Sequence, residues 1–255
     1  MPKRPLRLPA DARRLIVAER YDYAAGTVLE DHTHDAAQLL YAVSGVMAVT
    51  TAAGNFVVPP LRAVWIPANV VHSVAMQSDV SIRTLLIHAA VARQLLNSVQ
   101  VVSISPFMRE LILQAFLEPA RRRLAGRREW IVRLILDELT VIPAVPLHLP
   151  RPRDRRLRRV ADALLADPAD ARTLADWSLT VGASRRTLMR GFQRETGLGF
   201  EKWRQQVRLQ AALARLARGE PVTTVALDVG YATPGAFATM FRRALGRAPS
   251  RYFRD

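Results

Sequence analysis

At 255 residues, half of them apolar, the chain is long enough for two domains around buried cores, which excludes disorder as its main state. The formal charge is +15, from 37 basic against 22 acidic residues, and Lys3 and Lys202 are the only lysines; this arginine excess favours a polyanionic partner, nucleic acid before a membrane surface. With no cysteine, a disulfide framework, a thiolate metal site and a cysteine nucleophile are all excluded.

The first residues, Met1 to Arg14, carry charge but no apolar leader segment, and no later stretch reaches about 18 uninterrupted apolar residues. Neither secretion nor a membrane span is expected, and the cytoplasm is the expected compartment. From Val28 to about Ala89 come short runs rich in Val, Leu, Ile, Thr and Tyr: Gln38 to Ser44, Val46 to Thr51, Phe56 to Val58, Ala63 to Ile66 and Val80 to Ile87. Gly45, Ala53-Gly54-Asn55 and Pro59-Pro60 punctuate them, a spacing that predicts an all-β sandwich or barrel.

Side chains two apart on a strand share a face, so His32 and His34 can converge inside such a barrel, where Gln38 and His72 could meet them. Imidazoles suit Zn, Fe, Ni or Cu, whereas a neutral amide is a poorer ligand than a carboxylate. Two readings stay open: a divalent metal held by His32, His34, Gln38 and His72, or hydrogen-bonded polar groups lining a pocket without metal. Asp31 and Asp35 point the other way by alternation. Tyr41, Trp65 and His88 are candidate contacts for a small-molecule effector, with ordinary barrel filling as the other reading. No Gly-rich phosphate loop, nucleophile elbow or carboxylate pair marks a catalytic site, so no catalytic residue is expected. The spacing of Gly26, His32, His34, Gln38 and Gly45 resembles the first motif of the cupin superfamily, with Gln38 in place of the usual carboxylate. Pro67, Asn69 and His72 resemble the second motif; Asn69 stands where that family commonly has Gly, and Leu61 where its leading Gly would be.

From Ser105 the period turns helical, through Phe107, Leu111 and Ala115, then Ile131, Ile135 and Leu139, with Arg121 to Arg128 as a polar break. These two helices are a candidate dimerisation segment, or else packing for the barrel. Pro143, Pro146, Pro150 and Pro152 mark a domain boundary. Beyond it, residues 151–255 carry 21 basic against 10 acidic residues, net +11 of the total. The run of Arg151, Arg153, Arg155, Arg156, Arg158 and Arg159 around Asp154 reads as a solvated helix face or as phosphate contacts.

Thr173 with Asp176 forms a capping-box start to a short helix, Leu174 to Val181, ended by Gly182. Ser184 caps a second, Arg185 to Glu195, closed by Gly197. After a long helix from about Phe200 to Arg218 the pattern recurs: Val222 to Val229, a Gly230 turn, and Pro234 to Leu245 closed by Gly246. Gly182 aligns with Gly230 and, after one residue of slip, Leu188 with Phe237, Phe192 with Phe241 and Gly197 with Gly246. Leu174, Trp177, Leu188, Phe192, Leu198, Phe200 and Trp203 are the expected core of the first unit. Val225, Val229, Phe237, Phe241, Leu245 and Tyr252 are that of the second. At 100° per residue, Leu188 and Phe192 oppose Arg186, Met189, Arg190 and Gln193, which are left to face DNA. The same face of the second unit is Gly235, Ala238, Thr239 and Arg242, poor in donors. Arg185, Arg194 and Arg243 read as phosphate contacts or as plain surface charge.

Ser184, Arg186, Leu188, Phe192, Glu195-Thr196-Gly197, Val225-Ala226, Gly230-Tyr231, Phe237, Phe241-Arg242-Arg243, Gly246, Pro249 and Tyr252 resemble the signature of the AraC/XylS family of bacterial transcription regulators. The resemblance implies an α+β multidomain chain. Its parts would be a cupin-like sensor barrel (1–100), a helical linker (101–149), and an all-α DNA-binding domain (150–255) with helix-turn-helix units near 173–196 and 222–245. It implies base contacts from Arg186, Met189, Arg190, Gly235, Ala236 and Thr239. It also implies double-stranded DNA, a small-molecule effector and a second copy of the chain as partners. Ser178 takes the helix-crossing position where that family usually has Ala. The competing readings are a metal-dependent cupin enzyme fused to a DNA-binding domain, and a nucleoid-type protein without sequence preference.

Overall fold

Strand-forming runs and helical repeats separate as their periods dictate in the computed structural model, which describes residues 15–116, 125–142, 144–145 and 147–253. Met1 to Arg14, residues 121–124 of the polar break, and Pro143 and Pro146 lie outside the described residues. Contacts divide the chain into two units, residues 1–52 with 56–146, and 53–55 with 147–255.

The first eight strands are β1 (Ile16–Tyr23), β2 (Val28–His32), β3 (Ala37–Ser44), β4 (Met47–Thr51), β5 (Gly54–Val58), β6 (Arg62–Ile66), β7 (His72–Met76) and β8 (Val80–Ile87), all in the N-terminal unit but for the first two residues of β5. There follow α1 (Ala89–Ala92), β9 (Gln100–Ser103), α2 (Pro106–Ala115), α3 (Ala125–Val141) and β10 (Ala144–Val145). One sheet runs β1-β8-β3-β6-β9-β10 and a second contains β5-β4-β7-β2 in that order. The sheets reach past both expected limits. β1 precedes Val28 and pairs antiparallel with β8 from Ile16 opposite Ile87 to Tyr23 opposite Val80, while β9, beyond residue 100, pairs with β6. Arg127 and Arg128 belong to the first turn of α3 rather than to a break.

Alternation sorts the first sheet into two buried faces. Leu39, Tyr41, Ala63, Trp65, Leu85, Ile87 and Val102 form one core with Met108, Leu111, Ile112, Ile131, Ile135 and Leu139 of α2 and α3. The intervening residues, Gln38 and Leu40 of β3 and Ile82, Thr84 and Leu86 of β8, line a cavity on the other face. Leu61 and Asn69, which stand where cupin motifs carry glycine, are the two non-glycine residues with positive φ (62° and 63°) among those described. The backbone keeps the left-handed turns that glycine would permit without a Cβ clash.

The second unit opens with β11 (His148–Pro150), then α4 (Arg155–Ala166), α5 (Leu174–Val181), α6 (Arg185–Thr196), α7 (Phe200–Ala217), α8 (Val222–Asp228), α9 (Pro234–Leu245) and α10 (Pro249–Tyr252). Of the Arg run, Arg155, Arg156, Arg158 and Arg159 lie on the exposed face of α4, whose opposite side buries Leu157, Val160, Ala161 and Leu164. These pack with Trp177, Leu188, Phe192, Phe200 and Trp203 into the first unit's core, against which Leu174 and Leu198 lie half-buried. Val225, Val229, Phe237, Phe241, Leu245 and Tyr252 are buried in the second. The Thr173–Asp176 capping box is formed in both directions. The Ser178 hydroxyl donates back to the Ala175 carbonyl at 2.6 Å, so the polar side chain is satisfied within its own helix.

The two aligned turn glycines serve different needs. Gly182 has φ 65° with open space around it, whereas at Gly230 (φ 88°) a Cβ would lie 2.9 Å from Ala169 Cα and 2.7 Å from an Arg208 guanidinium nitrogen. Gly182→Ala is expected to cost about 1 kcal/mol from the left-handed backbone. Gly230→Ala should cost at least about twice that, because the Ala169 main chain must move as well, and urea unfolding of the two variants measures the difference.

Candidate effector cavity and nucleic-acid interface

β2 and β7 pair so that His32 stands opposite His72, and the chain leaving β2 brings His34 to the same place. Ring centroids lie 4.3 Å apart for His32 and His72, 5.2 Å for His32 and His34, and 5.6 Å for His34 and His72. The turn carrying Asn69 is tied to this segment, its amide donating to the His34 carbonyl at 2.7 Å. His32 Nδ1 donates to the Glu30 carbonyl (2.6 Å) and His72 Nδ1 to the Val70 carbonyl (2.9 Å). A carbonyl only accepts, so Nδ1 carries a proton in both rings, and the Nε2 atoms of His34 and His72 are buried without a hydrogen-bond partner. Burial lowers the pKa of His34 and of His72, reinforced in His34 by the neighbouring His32. Both are therefore held in the neutral form near pH 7.

Gln38 reaches this region from β3 but turns its amide to the hydroxyl of buried Thr84, Nε2 donating at 2.9 Å. Its Oε1 is buried without a hydrogen-bond partner. The cavity beside these groups has a volume of about 160 Å³. Its polar lining includes His32, His34, Gln38 and Thr84, its apolar lining Leu29, Leu40, Val74, Ile82 and Leu86. Glu19, Tyr21 and Tyr23 complete the lining from β1, with Tyr21 OH donating to Glu19 at 2.9 Å. That hydrogen bond raises the tyrosine's pKa.

Tyr41, Trp65 and His88 are not brought to this cavity. Tyr41 and Trp65 are on the opposite face of the first sheet, in the core shared with α2 and α3. Trp65 Nε1 donates to the Leu96 carbonyl at 2.9 Å. His88 is exposed and caps α1, accepting from the Ala90 amide. The physical reason is parity: Gln38 and Tyr41 are three apart on one strand and must face opposite ways.

In the C-terminal unit Ser184 accepts from the Thr187 amide to start α6, and Gly197 (φ 70°) ends it. Leu188, Gly191 and Phe192 are buried, leaving Arg185, Arg186, Met189, Arg190, Gln193 and Arg194 exposed. They form two rows at helical spacing. Arg186, Arg190 and Arg194 border a cleft of about 300 Å³ closed on its far side by Asp154, Arg156 and Leu157 of the α4 start. Arg185, Met189 and Gln193 border a broader groove against Thr173, Phe200 and Lys202. On α9, Thr233 caps the first turn, and Gly235, Ala236, Thr239, Arg242 and Arg243 are exposed. The Thr239 hydroxyl is turned back to the Gly235 carbonyl at 3.0 Å.

Two family models match the chain: a helix-turn-helix domain over residues 177–255 and an AraC-like ligand binding domain over residues 17–172. The chain belongs to the AraC family of transcription regulators. It is 34% identical over 221 residues to the HTH-type transcriptional regulator NimR of Escherichia coli, covering 87% of this chain and 81% of that protein. To the HTH-type transcriptional regulator RipA of Corynebacterium glutamicum it is 36% identical over 122 residues, 48% of this chain and 35% of that protein. Among solved structures, a probable AraC family transcriptional regulator from Rhodopseudomonas palustris matches at 29% identity and TM-score 0.36, over 39% of this chain and 95% of that one. The architecture is that of an AraC-family regulator, a β-rich ligand-binding domain followed by a helical DNA-binding domain with two helix-turn-helix units. No helix among the described residues is long and apolar enough to cross a membrane.

Sequence reading missed the contribution of β1 to the cavity, although the alternating Glu19, Tyr21 and Tyr23 carried that signal. It also missed Arg156 as a neighbour of the α6 arginines. This neighbour is set by Asp154, whose carboxylate accepts from the Arg156 guanidinium (3.0 Å) and from the Arg156 and Leu157 amides. These bonds, the Arg156 side chain first, lower its pKa to about 2. A depressed carboxylate pKa contributes stability that is present above the unfolded value near 4 and lost as pH falls through about 2. Asp154→Ala is therefore expected to cost about 1 kcal/mol at pH 7. Urea melts at stepwise lower pH should show the gap to wild type closing between pH 4 and pH 2.

Proposed function

We propose that this regulator reads base sequence mainly through α6, anchors to phosphate through α9 and the flanking arginines, and is controlled by a compact effector in the β-rich domain's cavity. It acts in the cytoplasm as a homodimer. The observation that supports this division most directly is the asymmetry of the exposed second helices. α6 offers Arg186, Arg190 and Gln193, whereas the matching face of α9 offers Gly235, Ala238, a Thr239 hydroxyl already engaged with its own helix, and one arginine, Arg242, in the last turn. Arginine pairs bidentately with guanine and Gln with adenine, while small side chains suit close packing on the backbone and on thymine methyls. Arg186→Ala and Arg190→Ala are each expected to lose about 1 to 3 kcal/mol at particular base pairs. Arg185→Ala and Arg243→Ala should weaken all sites alike and reduce the salt dependence by about one phosphate contact. Binding measured over a library of sites separates the two patterns, and equal losses for Arg186, Arg190 and Thr239 variants would overturn the division.

The cavity supports an effector of few atoms, since 160 Å³ is about the liquid volume of five waters and below the usual range of drug-sized sites. Its orphan Gln38 carbonyl calls for a donor on that molecule. The dimer reading rests on α3, where Trp130 (68% exposed) and Leu134 (41%) form an apolar pair one helical turn apart. Arg127 and Asp137, both exposed, continue the same stripe three residues to either side. Two such helices meeting antiparallel about a two-fold axis place Arg127 of each against Asp137 of the other. Sedimentation should show Trp130→Ala shifted toward monomer and Arg127→Asp weakened. The double charge swap Arg127→Asp with Asp137→Arg is expected to restore the dimer.

A further inference from the structure

α7 joins the two helix-turn-helix units, and Arg208 stands halfway along it, half-buried. Its Nε donates at 3.0 Å to the carbonyl of Pro168, in the loop that leads from α4 into the first unit. The same guanidinium lies over the ring of Tyr231, in the turn between α8 and α9 of the second unit, its carbon 5.6 Å from the ring centroid. A Cβ at Gly230 would lie 2.7 Å from an Arg208 nitrogen and 2.9 Å from Ala169 Cα, so the turn of the second unit is seated against the loop that feeds the first. No ion pair neutralises Arg208 among the described residues; the carboxylates that act on it, Glu201 and Asp167, do so at longer range. Partial burial of an unpaired guanidinium costs hydration. The groups that offset this cost, a carbonyl and an aromatic face, belong one to each unit.

We propose that Arg208 is a positioning residue that locks the two helix-turn-helix units into one register, so that the regulator selects the spacing between the two DNA segments it contacts as well as their sequence. This rests on the reading that both units dock on DNA. Successive major-groove segments lie about 34 Å apart, one turn of about 10.5 base pairs. One inserted base pair therefore moves the second segment by about 3.4 Å and turns it by roughly 35°. Units held rigidly cannot follow that shift without losing hydrogen bonds, which tolerate only small changes of distance and angle. Units released at the Arg208 junction can swing about α7 and follow it. Pro168 and Tyr231 lie outside α6 and α9, so the reading faces themselves stay as they are.

The test uses a duplex selected by the full-length wild-type protein from a random-sequence library, and the same duplex with one base pair inserted between the two protected segments. Wild type is expected to bind the lengthened duplex about 30-fold or more weakly than the selected one. Arg208→Met keeps the apolar stem but removes the charge and the donors. It should bind the selected duplex about fivefold more weakly than wild type, and distinguish the two duplexes by about threefold or less. Tyr231→Leu, which fills the space without an aromatic face, is expected to lose the discrimination in the same way, whereas Tyr231→Phe keeps it. Melting temperatures are measured alongside, because a role in stability alone would weaken binding to both duplexes by one factor and leave their ratio unchanged. The inference is overturned if folded Arg208→Met keeps the wild-type ratio; where that variant does not fold, Tyr231→Leu decides by the same ratio. Indifference of wild type to the inserted base pair overturns the docking of both units on DNA and this role with it, whereas equal discrimination by wild type and variants overturns the role of Arg208 alone.

Discussion

Both faces of the β1-β8-β3-β6-β9-β10 sheet are enclosed, and the strict alternation of side chains along each strand decides what each face does. On β3, Leu39 and Tyr41 go to the helix-covered core while Gln38 and Leu40 go to the cavity. A one-residue slip would place Tyr41 among the histidines and Gln38 under α2 and α3. Burying so large an apolar surface beneath the helices fixes the register. The cavity's polar chemistry is thereby placed by hydrophobic packing on the far side of the same strand.

The histidine cluster follows from the second sheet in a similar way. The pairing of β2 with β7 sets His32 opposite His72, and the left-handed Asn69 turn holds the His34 segment against it. The glycines expected in those motifs are replaced by Leu61 and Asn69, yet the backbone geometry is retained. The turn is demanded by the sheet's connectivity, and local strain of the order of 1 kcal/mol is tolerable within the surrounding ladder.

In the C-terminal unit the same economy of means appears in helices. α6 and α9 are each held by aromatic residues on one side, Phe192 against Phe200 and Trp203 in the first unit and Phe237 against Tyr231 and Phe241 in the second. The opposite side is thereby left exposed. Gly191 allows α4 to approach α6 closely, since a Cβ there would lie 2.8 Å from Leu157. That approach is what brings Arg156 beside Arg186 and Arg190.

Local signals in the sequence were enough for α5, α6, α8 and α9. Capping residues, turn glycines and a helical repeat act within a few residues, so Leu174–Val181 and Pro234–Leu245 could be bounded without any tertiary contact. The exposed faces of α6 and α9 followed from periodicity for the same reason. The cavity wall was a different matter. β1 is a marginal strand alone and is defined by pairing with β8, more than 50 residues away in the chain, and β9 is likewise held by β6. Whether Gln38 stands beside Thr84, and whether Tyr41 faces the cavity or the core, depends on which strand neighbours which and on where α2 and α3 lie. Long-range pairing and packing decide those points, and no local spacing encodes them.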